Sequence, residues 1–525
     1  MKLRKSRIIT YTLTVFFVLV SCSMPFFHRA GYDYLTISAA AFLCLLLSAL
    51  LFFQRRVEDS ATMIRFAKAD FALFLFGAYV LLGAILRRSV TTPLLFWKWI
   101  AAAAMYLSGR YLSGKPGQLI PVLAVPALVQ AVIVILQRMG WVATLSFYFP
   151  VSGTFGNPSF PAVLIAVGLV AQLAVPVSEF KKAALWRKVL VAAMVLLSAA
   201  GLLCCDSRTA VLAVLTTSCL LFLHKHPQRK SVILVLSVLA VTAVGLYFLR
   251  PGSANVRLLI WRAAFGLFAE QPLFGSGAAS FAGHYMYAQA AYFASHPDSP
   301  FVLLAGDHYQ PYNELIRLLC EQGICGTLLF LVFAMQLLLQ RSAARLPLVA
   351  IAVIGLTFNV SDLFVLYLVF WLLCGYASGE SVVFRPVRVR MYAVAAVLPL
   401  AVAVLSFVRL ADRAYMADPS HRADIPTYED ICEAGQQCEQ DGKIHAAETL
   451  YTLAWNMIPS RITATFLLFE LYVRTDPAKA RDWGYFVLYE QPLRSVSGRT
   501  LQMKSVVRQK LGELESNSDE KWKSS

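Results

Sequence analysis

Long apolar runs separated by short polar or basic connections dominate the chain from Ile8 to about Val408. A bilayer core about 30 Å thick needs roughly 20 mostly apolar residues per helix. Spans of this kind are predicted at 8–27, 35–53, 70–86, 93–109, 118–137, 157–177, 189–205, 209–224, 231–249, 323–340, 346–358, 361–378 and 391–408. The pattern breaks twice. From Arg250 to about Gln322 the chain turns polar and carries Pro251, Gly252, Pro272, Gly275, Gly277, Pro297, Pro300 and Pro311, which predicts short helices joined by turns. Long loops of this kind are usually functional rather than connective. The second break is the polar tail from Ala411 to Ser525.

The predicted fold is therefore all-α: a polytopic membrane bundle of about 12–13 transmembrane helices, a long loop at 250–322 and a small helical C-terminal domain. Three regions are expected, namely N-terminal spans at 1–149, a core with its loop at 150–409, and the tail at 410–525. In the tail, Gly435, Ala447, Tyr451, Ala454 and Pro459 stand at the spacing of a tetratricopeptide unit, with Ala480 and Gly484 as a degenerate follow-on. An ordinary helical hairpin accounts for the same pattern. One or two such units bury little alone, so the tail is expected to dock on the membrane domain or on a protein partner.

Composition narrows the class. The 525 residues are 58% hydrophobic and 15% charged, where a soluble domain is about a quarter charged. The net charge of +17 points to basic cytoplasmic connections rather than to nucleic acid. With the N-terminus inside, Arg55, Arg56, Arg110, Lys115, Lys181, Lys182, Arg229, Lys230, Arg341, Arg345 and Arg385 fall on cytoplasmic connections. Only Arg29, Arg87, Arg88, Arg138 and Arg208 fall on short outer ones, and the long loop and tail lie outside. Lys2, Arg4, Lys5 and Arg7 precede an apolar run ending in Leu19-Val-Ser-Cys22, which is either a lipoprotein-like box or a first membrane helix with a chance cysteine. The second reading is the expectation. Cys432 and Cys438 are too far around one helix for a disulfide, and neither a CxxC pair nor an acidic metal cluster is evident.

Ionisable groups beside membrane spans are costly and therefore candidates for function. Asp206-Ser-Arg208 lies between two apolar runs; the plain alternative is a turn whose two charges pair. Arg257, Trp261 and Ala264 share a helical face, with Arg262 on the next stripe. They are either interfacial arginines that snorkel or a clamp for diphosphate, whose oxygens match guanidinium donors. Asp307 beside His308 suits a histidine held in one tautomer that accepts a proton from a hydroxyl, and Glu314 is a second candidate base.

Several of these pieces, in this order, resemble the O-antigen ligase and polymerase family. They are Gly153-Thr-Phe-Gly-Asn157-Pro, Asp206-Ser-Arg208, Arg257-x-x-x-Trp261, Pro272-Leu-Phe-Gly275-x-Gly277, and Asn313 nine residues before Gly323-x-x-Gly326. The resemblance covers roughly residues 150–375. It implies a metal-independent enzyme, without cofactor, that moves glycan from undecaprenyl diphosphate to a glycan, lipid or protein acceptor at the periplasmic face of a bacterial inner membrane. It also implies that Arg208 and Arg257, with Arg262 close by, bind the diphosphate. The family's ligases carry a histidine immediately before the asparagine, where this chain has Tyr312. A tyrosine with a pKa of about 10 is a poor base at neutral pH, which leaves His308 or Glu314 to replace it, or an acceptor unlike that of a ligase. Multi-spanning transporters and flippases are the main alternative, but the internal repeat common in transporters is not evident. A membrane-anchored scaffold would leave the loop arginines and histidines unexplained.

Overall fold

A computed structural model describes residues 10–22, 40–41, 43–44, 63–64, 66–86, 93–146, 148–174, 183–249, 251–379, 387–388, 427–494 and 496–523. Among the described residues the structure is helical apart from one two-residue antiparallel pairing, β1 (Met63–Ile64) with β2 (Val387–Arg388). The helices divide into two compact units.

The first unit holds α1 (Thr10–Cys22), α2 (Lys68–Leu86), α3 (Pro93–Leu112), α4 (Pro116–Arg138), α5 (Ser159–Leu173), α6 (Leu185–Cys204), α7 (Arg208–Lys225) and α8 (Arg229–Leu249). After the polar segment come most of α11 (Glu314–Leu338), then α12 (Arg345–Gly355) and α13 (Phe364–Gly379). Among the described residues, four helices are long and apolar enough to cross a membrane: α4, α6, α7 and α11. The predicted span 391–408 lies outside the described residues.

Helix α5 forms the centre of this unit: every residue from Pro161 to Gln172 is buried, and α4, α6, α7 and α12 pack around it. Small residues permit the approach. A Cβ at Gly168 would run into Ala127 and the Leu123 carbonyl, and one at Gly201 into Ala131. Helices α3 and α13 meet more closely still, Gly109 against the Leu372 carbonyl and Gly375 against the Tyr106 carbonyl. Without a hydrophobic force between helices in lipid, such backbone proximity is what gains dispersion energy. At one end of the α3–α13 pair, Asp70 accepts from Arg110, Tyr106 Oη and Ser378 Oγ, so α2, α3 and α13 share one charge-centred knot. The outward residues of α6 and α8, such as Leu185, Trp186, Leu196, Ile233, Leu236 and Phe248, are exposed and apolar, as a lipid-facing surface requires.

The second unit joins the polar loop to the tail. It contains α9 (Pro251–Glu270), α10 (Phe281–Ser295), residues 319–323 of α11, and α14 (Tyr428–Gln440), α15 (Ile444–Met457), α16 (Ile462–Thr475), α17 (Pro477–Tyr485) and α18 (Gly498–Lys523). The loop opens on one 20-residue helix rather than the short pieces expected, because Leu259, Ile260, Ala263, Ala264 and Leu267 form a continuous buried stripe. Helix α10 packs on α15. Buried Gln289 spans the two, donating to the carbonyls of Gly306 at 3.2 Å and Met457 at 2.6 Å. In the α14–α15 hairpin, Gly435 admits the Tyr451 ring, and Ala447, Tyr451 and Ala454 are fully buried. Gly484 takes the same part against Phe469 and Leu511. Cys432 and Cys438 are free thiols.

Candidate functional site

The motif residues fall in both units, and each group has its own supports. In the first unit the Gly153–Asn157 segment is held by two glutamines of α4. Gln137 Oε1 accepts from Ser152 N at 3.0 Å and Gly153 N at 2.8 Å, while its Nε2 donates to Gly153 O at 2.8 Å. One face further along, Gln130 Nε2 donates to Thr154 Oγ1 at 2.9 Å, and Thr154 Oγ1 donates to Ser21 O at 2.7 Å. Asn157 Oδ1 accepts from Ser159 N at 2.9 Å and so starts α5. Neither glutamine was singled out in the sequence. Their signal was there, two amides seven residues apart on one face of an otherwise apolar helix.

Asp206 has φ 50°, an uncommon left-handed conformation for a non-glycine residue. It ends the turn from α6, after which Ser207 is the N-cap and Arg208 the first residue of α7. Tyr312 is likewise left-handed, with φ 51°. It precedes Asn313, whose Oδ1 caps α11 by accepting from Leu315 N at 2.9 Å and Ile316 N at 3.1 Å. Asn313 Nδ2 donates to Leu356 O at 3.1 Å, tying the helix start to the end of α12. This cap explains why α11 begins at Glu314, nine residues before the predicted span. Glu314 Oε1 accepts from Ser361 N at 2.7 Å and Ser361 Oγ at 2.8 Å. Arg317, a residue the sequence reading passed over, bonds Ser361 Oγ and forms an ion pair with Asp362. A polar Asn359-Val-Ser361-Asp362 break between apolar spans was the available signal.

The glycine motifs meet in the second unit. Helix α11 is broken at Gly323, with φ 64° and ψ −170°, a region that only glycine occupies readily. The break frees the carbonyls of Cys320 and Glu321, which accept from Ser276 N and Gly277 N, both at 2.8 Å. Gly275, φ 68°, lies backbone to backbone against Gln322 and Gly323, and a Cβ at either glycine would collide with main chain. Glu321 Oε2 adds a bond from Ala279 N at 3.0 Å. Gly326 is buried on α11. Trp261 Nε1 donates to Pro311 O at 2.8 Å, fixing α9 against the end of the loop. Arg257 is half-buried on α9, and Arg262 is exposed with its guanidinium 4.9 Å from the Phe301 ring centre.

Asp307 and His308 are neighbours with separate partners. Asp307 Oδ2 accepts from Arg461 Nη2 at 2.6 Å, and its Oδ1 from Tyr428 N at 3.4 Å. Arg461 also pairs with Glu429 at 2.8 Å, so loop and tail are joined through this carboxylate. The His308 ring bonds instead to the Leu304 backbone. Its Nε2 is buried without a partner, so Nδ1 carries the proton that Leu304 accepts. Burial pushes the imidazolium below the ordinary 6.5, and nearby Arg494 adds to this against the smaller pull of Asp307. A Cβ at Gly306 would lie 3.3 Å from His308 Nε2 and 3.4 Å from Arg494 Nη1, so the two nitrogens flank one spot. Among the described residues no group of three or more His, Cys, Asp or Glu is placed to hold a metal ion.

Residues 193–331 match the O-antigen ligase (Wzy_C) family model. That segment runs from α6 to the middle of α11 and contains Arg208, Arg257, Trp261, Arg262, Gly275, Gly277, Asp307, His308, Tyr312, Asn313, Glu314, Gly323 and Gly326. No curated protein matches the chain. The match and the apolar helices make this a multi-pass membrane protein with an O-antigen-ligase-like region, a family that transfers lipid-linked glycan.

Proposed function

We propose that the protein transfers a glycan from undecaprenyl diphosphate to an acceptor at the periplasmic face of a bacterial inner membrane. The observation that carries this reading is the match over 193–331, which encloses the arginines and the glycine junction together. In this reading Arg208, Arg257 and Arg262 hold the diphosphate and stabilise the charge that develops on it as the glycosyl bond breaks. Of the three candidate bases, Asp307 and Glu314 have carboxylates occupied by Arg461 and Ser361. His308 is neutral, with an unoccupied lone pair at Nε2, and is the better proton acceptor from a hydroxyl. The tail acts as a tetratricopeptide-like platform that holds an acceptor or protein partner. Ligation to lipid A core, polymerisation and protein glycosylation are branches of this one reading.

The test is the glycan profile of a strain lacking the gene, with lipopolysaccharide, capsule and glycoproteins compared side by side. One glycan class is expected to disappear and to return with wild type but not with Arg208→Ala or Arg257→Ala. Single units without long chains would identify a polymerase, and accumulated free lipid-linked chains a ligase. Full activity of both arginine variants at normal membrane levels would overturn the diphosphate clamp.

A further inference from the structure

Within the tail, the turn before α16, the segment leading into α18 and the first turn of α18 line a half-open cavity of about 250 Å³. Its lining includes Ser460, Arg461, Ile462, Thr463, Arg494 and Arg499, and it has no acidic member. Ser460 is 3% exposed, and its Oγ is buried without a hydrogen-bond partner. A buried hydroxyl left unsatisfied is costly, so this one calls for a ligand that accepts or donates there. Ile462 and Thr463 are the first two residues of the 14-residue α16, and the N-cap Arg461 supplies no side-chain bond to them. The positive end of the helix macrodipole and its spare N–H groups therefore adjoin the same cavity.

The arginines have unequal freedom. Arg461 is committed to Asp307 and Glu429. Arg494 donates its Nε to Leu303 O at 2.5 Å, which leaves its terminal nitrogens available. Arg499, exposed on the first turn of α18, has no hydrogen bond or ion pair among the described residues. Buried Gln491 braces the wall, accepting from Thr465 Oγ1 at 2.8 Å and donating to Pro459 O at 2.6 Å, so the turn carrying Ser460 is built rather than loose.

We propose that this cavity is an anion site that binds a phosphate monoester or phosphate headgroup, with Ser460 Oγ donating to it and Arg494 and Arg499 neutralising its charge. With Arg461 already paired, the guanidinium groups of Arg494 and Arg499 and a lining without a carboxylate favour a tetrahedral phosphate anion over a neutral sugar. The volume is below the roughly 300–1,000 Å³ of a site for a drug-sized ligand, so it accommodates a headgroup rather than a long glycan. The site lies wholly within the second unit and does not depend on the transferase reading.

The full chain in detergent or nanodiscs, titrated with inorganic phosphate against chloride of equal ionic strength, provides the test. Phosphate is expected to raise the thermal midpoint followed by tryptophan fluorescence, and calorimetry should detect the binding directly. Arg499→Gln should weaken phosphate binding at least tenfold with the midpoint in chloride unchanged, and Ser460→Ala should weaken it severalfold. Displacement of phosphate by glucose 6-phosphate would identify a sugar phosphate as the source. Displacement only by vesicles containing phosphatidic acid, a phosphomonoester lipid, and not by phosphatidylcholine vesicles, would identify a lipid headgroup. Absence of any effect beyond chloride would overturn the site, as would undiminished binding by the folded Arg499→Gln variant.

Discussion

Tyr312, Asp206 and His308 show how much the surroundings decide for a single side chain. Tyr312 and Asp206 occupy left-handed backbone that glycine or asparagine would adopt more readily. Such departures persist where neighbouring structure over-determines them, and they cluster at functional sites. His308 is drawn below its ordinary pKa mainly by burial. The folded state therefore binds fewer protons at this ring than the unfolded state, and its contribution to stability is complete above pH 6.5. That contribution is lost as pH falls below 6.5 toward the depressed folded value. Thermal unfolding between pH 7.5 and 5 should accordingly show a fall in midpoint that His308→Gln makes shallower. An identical pH profile in the variant would mean that the ring is not excluded from protonation. If His308 is also the base, the same variant should lower kcat for transfer by about 10²–10⁴-fold, with KM little changed.

At the scale of elements, the two glycines of the α11 junction and the two glutamines of α4 carry testable loads. Gly323→Ala places a side chain in backbone it adopts poorly and against the Leu273 carbonyl. A cost of at least about 1–3 kcal/mol is expected, read as a lower midpoint in detergent, with Gly275→Ala behaving alike. Gly266→Ala, inside regular α9 where a Cβ meets nothing within 4 Å, should be neutral or slightly stabilising by comparison. Gln137→Leu keeps the helix apolar and removes the acceptor for Ser152 N and Gly153 N. Each orphaned N–H costs about 1–3 kcal/mol, so this variant should unfold at lower denaturant although its hydropathy rises. Unchanged stability in Gln137→Leu would show that other groups or water satisfy that loop.

For the whole molecule, the loop at 250–311 and the tail form one compact unit, which the sequence separates by more than a hundred residues. Asp307, Arg461 and Glu429 join them, and Gln289 reaches a carbonyl of α15. Removing one partner of a half-buried pair leaves the other charge uncompensated, which is worse than losing the attraction alone. Arg461→Ala should therefore expose the 296–311 and 427–430 segments to limited proteolysis, and Asp307→Asn should do so more mildly. Protease resistance equal to wild type in Arg461→Ala would mean that the apolar α10–α15 packing suffices to hold them. Truncation of the tail is expected to disturb the loop as well, so loss of transfer on truncation would not by itself identify a tail partner.

The apolar periodicity sufficed for an all-helical fold with helices long and apolar enough to cross a membrane, because a lipid environment demands helices and allows few charges within them. Residue types at spaced positions were also enough to single out Arg208, Arg257, Trp261, Asn313 and the Gly275–Gly323 set as candidates. Their roles in chemistry are proposals, but the structural work of several is now plain: a cap at Asn313, a brace at Trp261, a backbone junction at Gly275 and Gly323. What the sequence could not reveal was long-range pairing. Neither the grip of Gln137 on Gly153, nor the engagement of Asp307 by Arg461 rather than His308, nor the arginine-lined cavity beside Ser460 has a local signature. Hydrophobic patterning reports which face of one element is buried, whereas hydrogen bonds and ion pairs depend on which elements then meet. That choice is made by close packing in three dimensions.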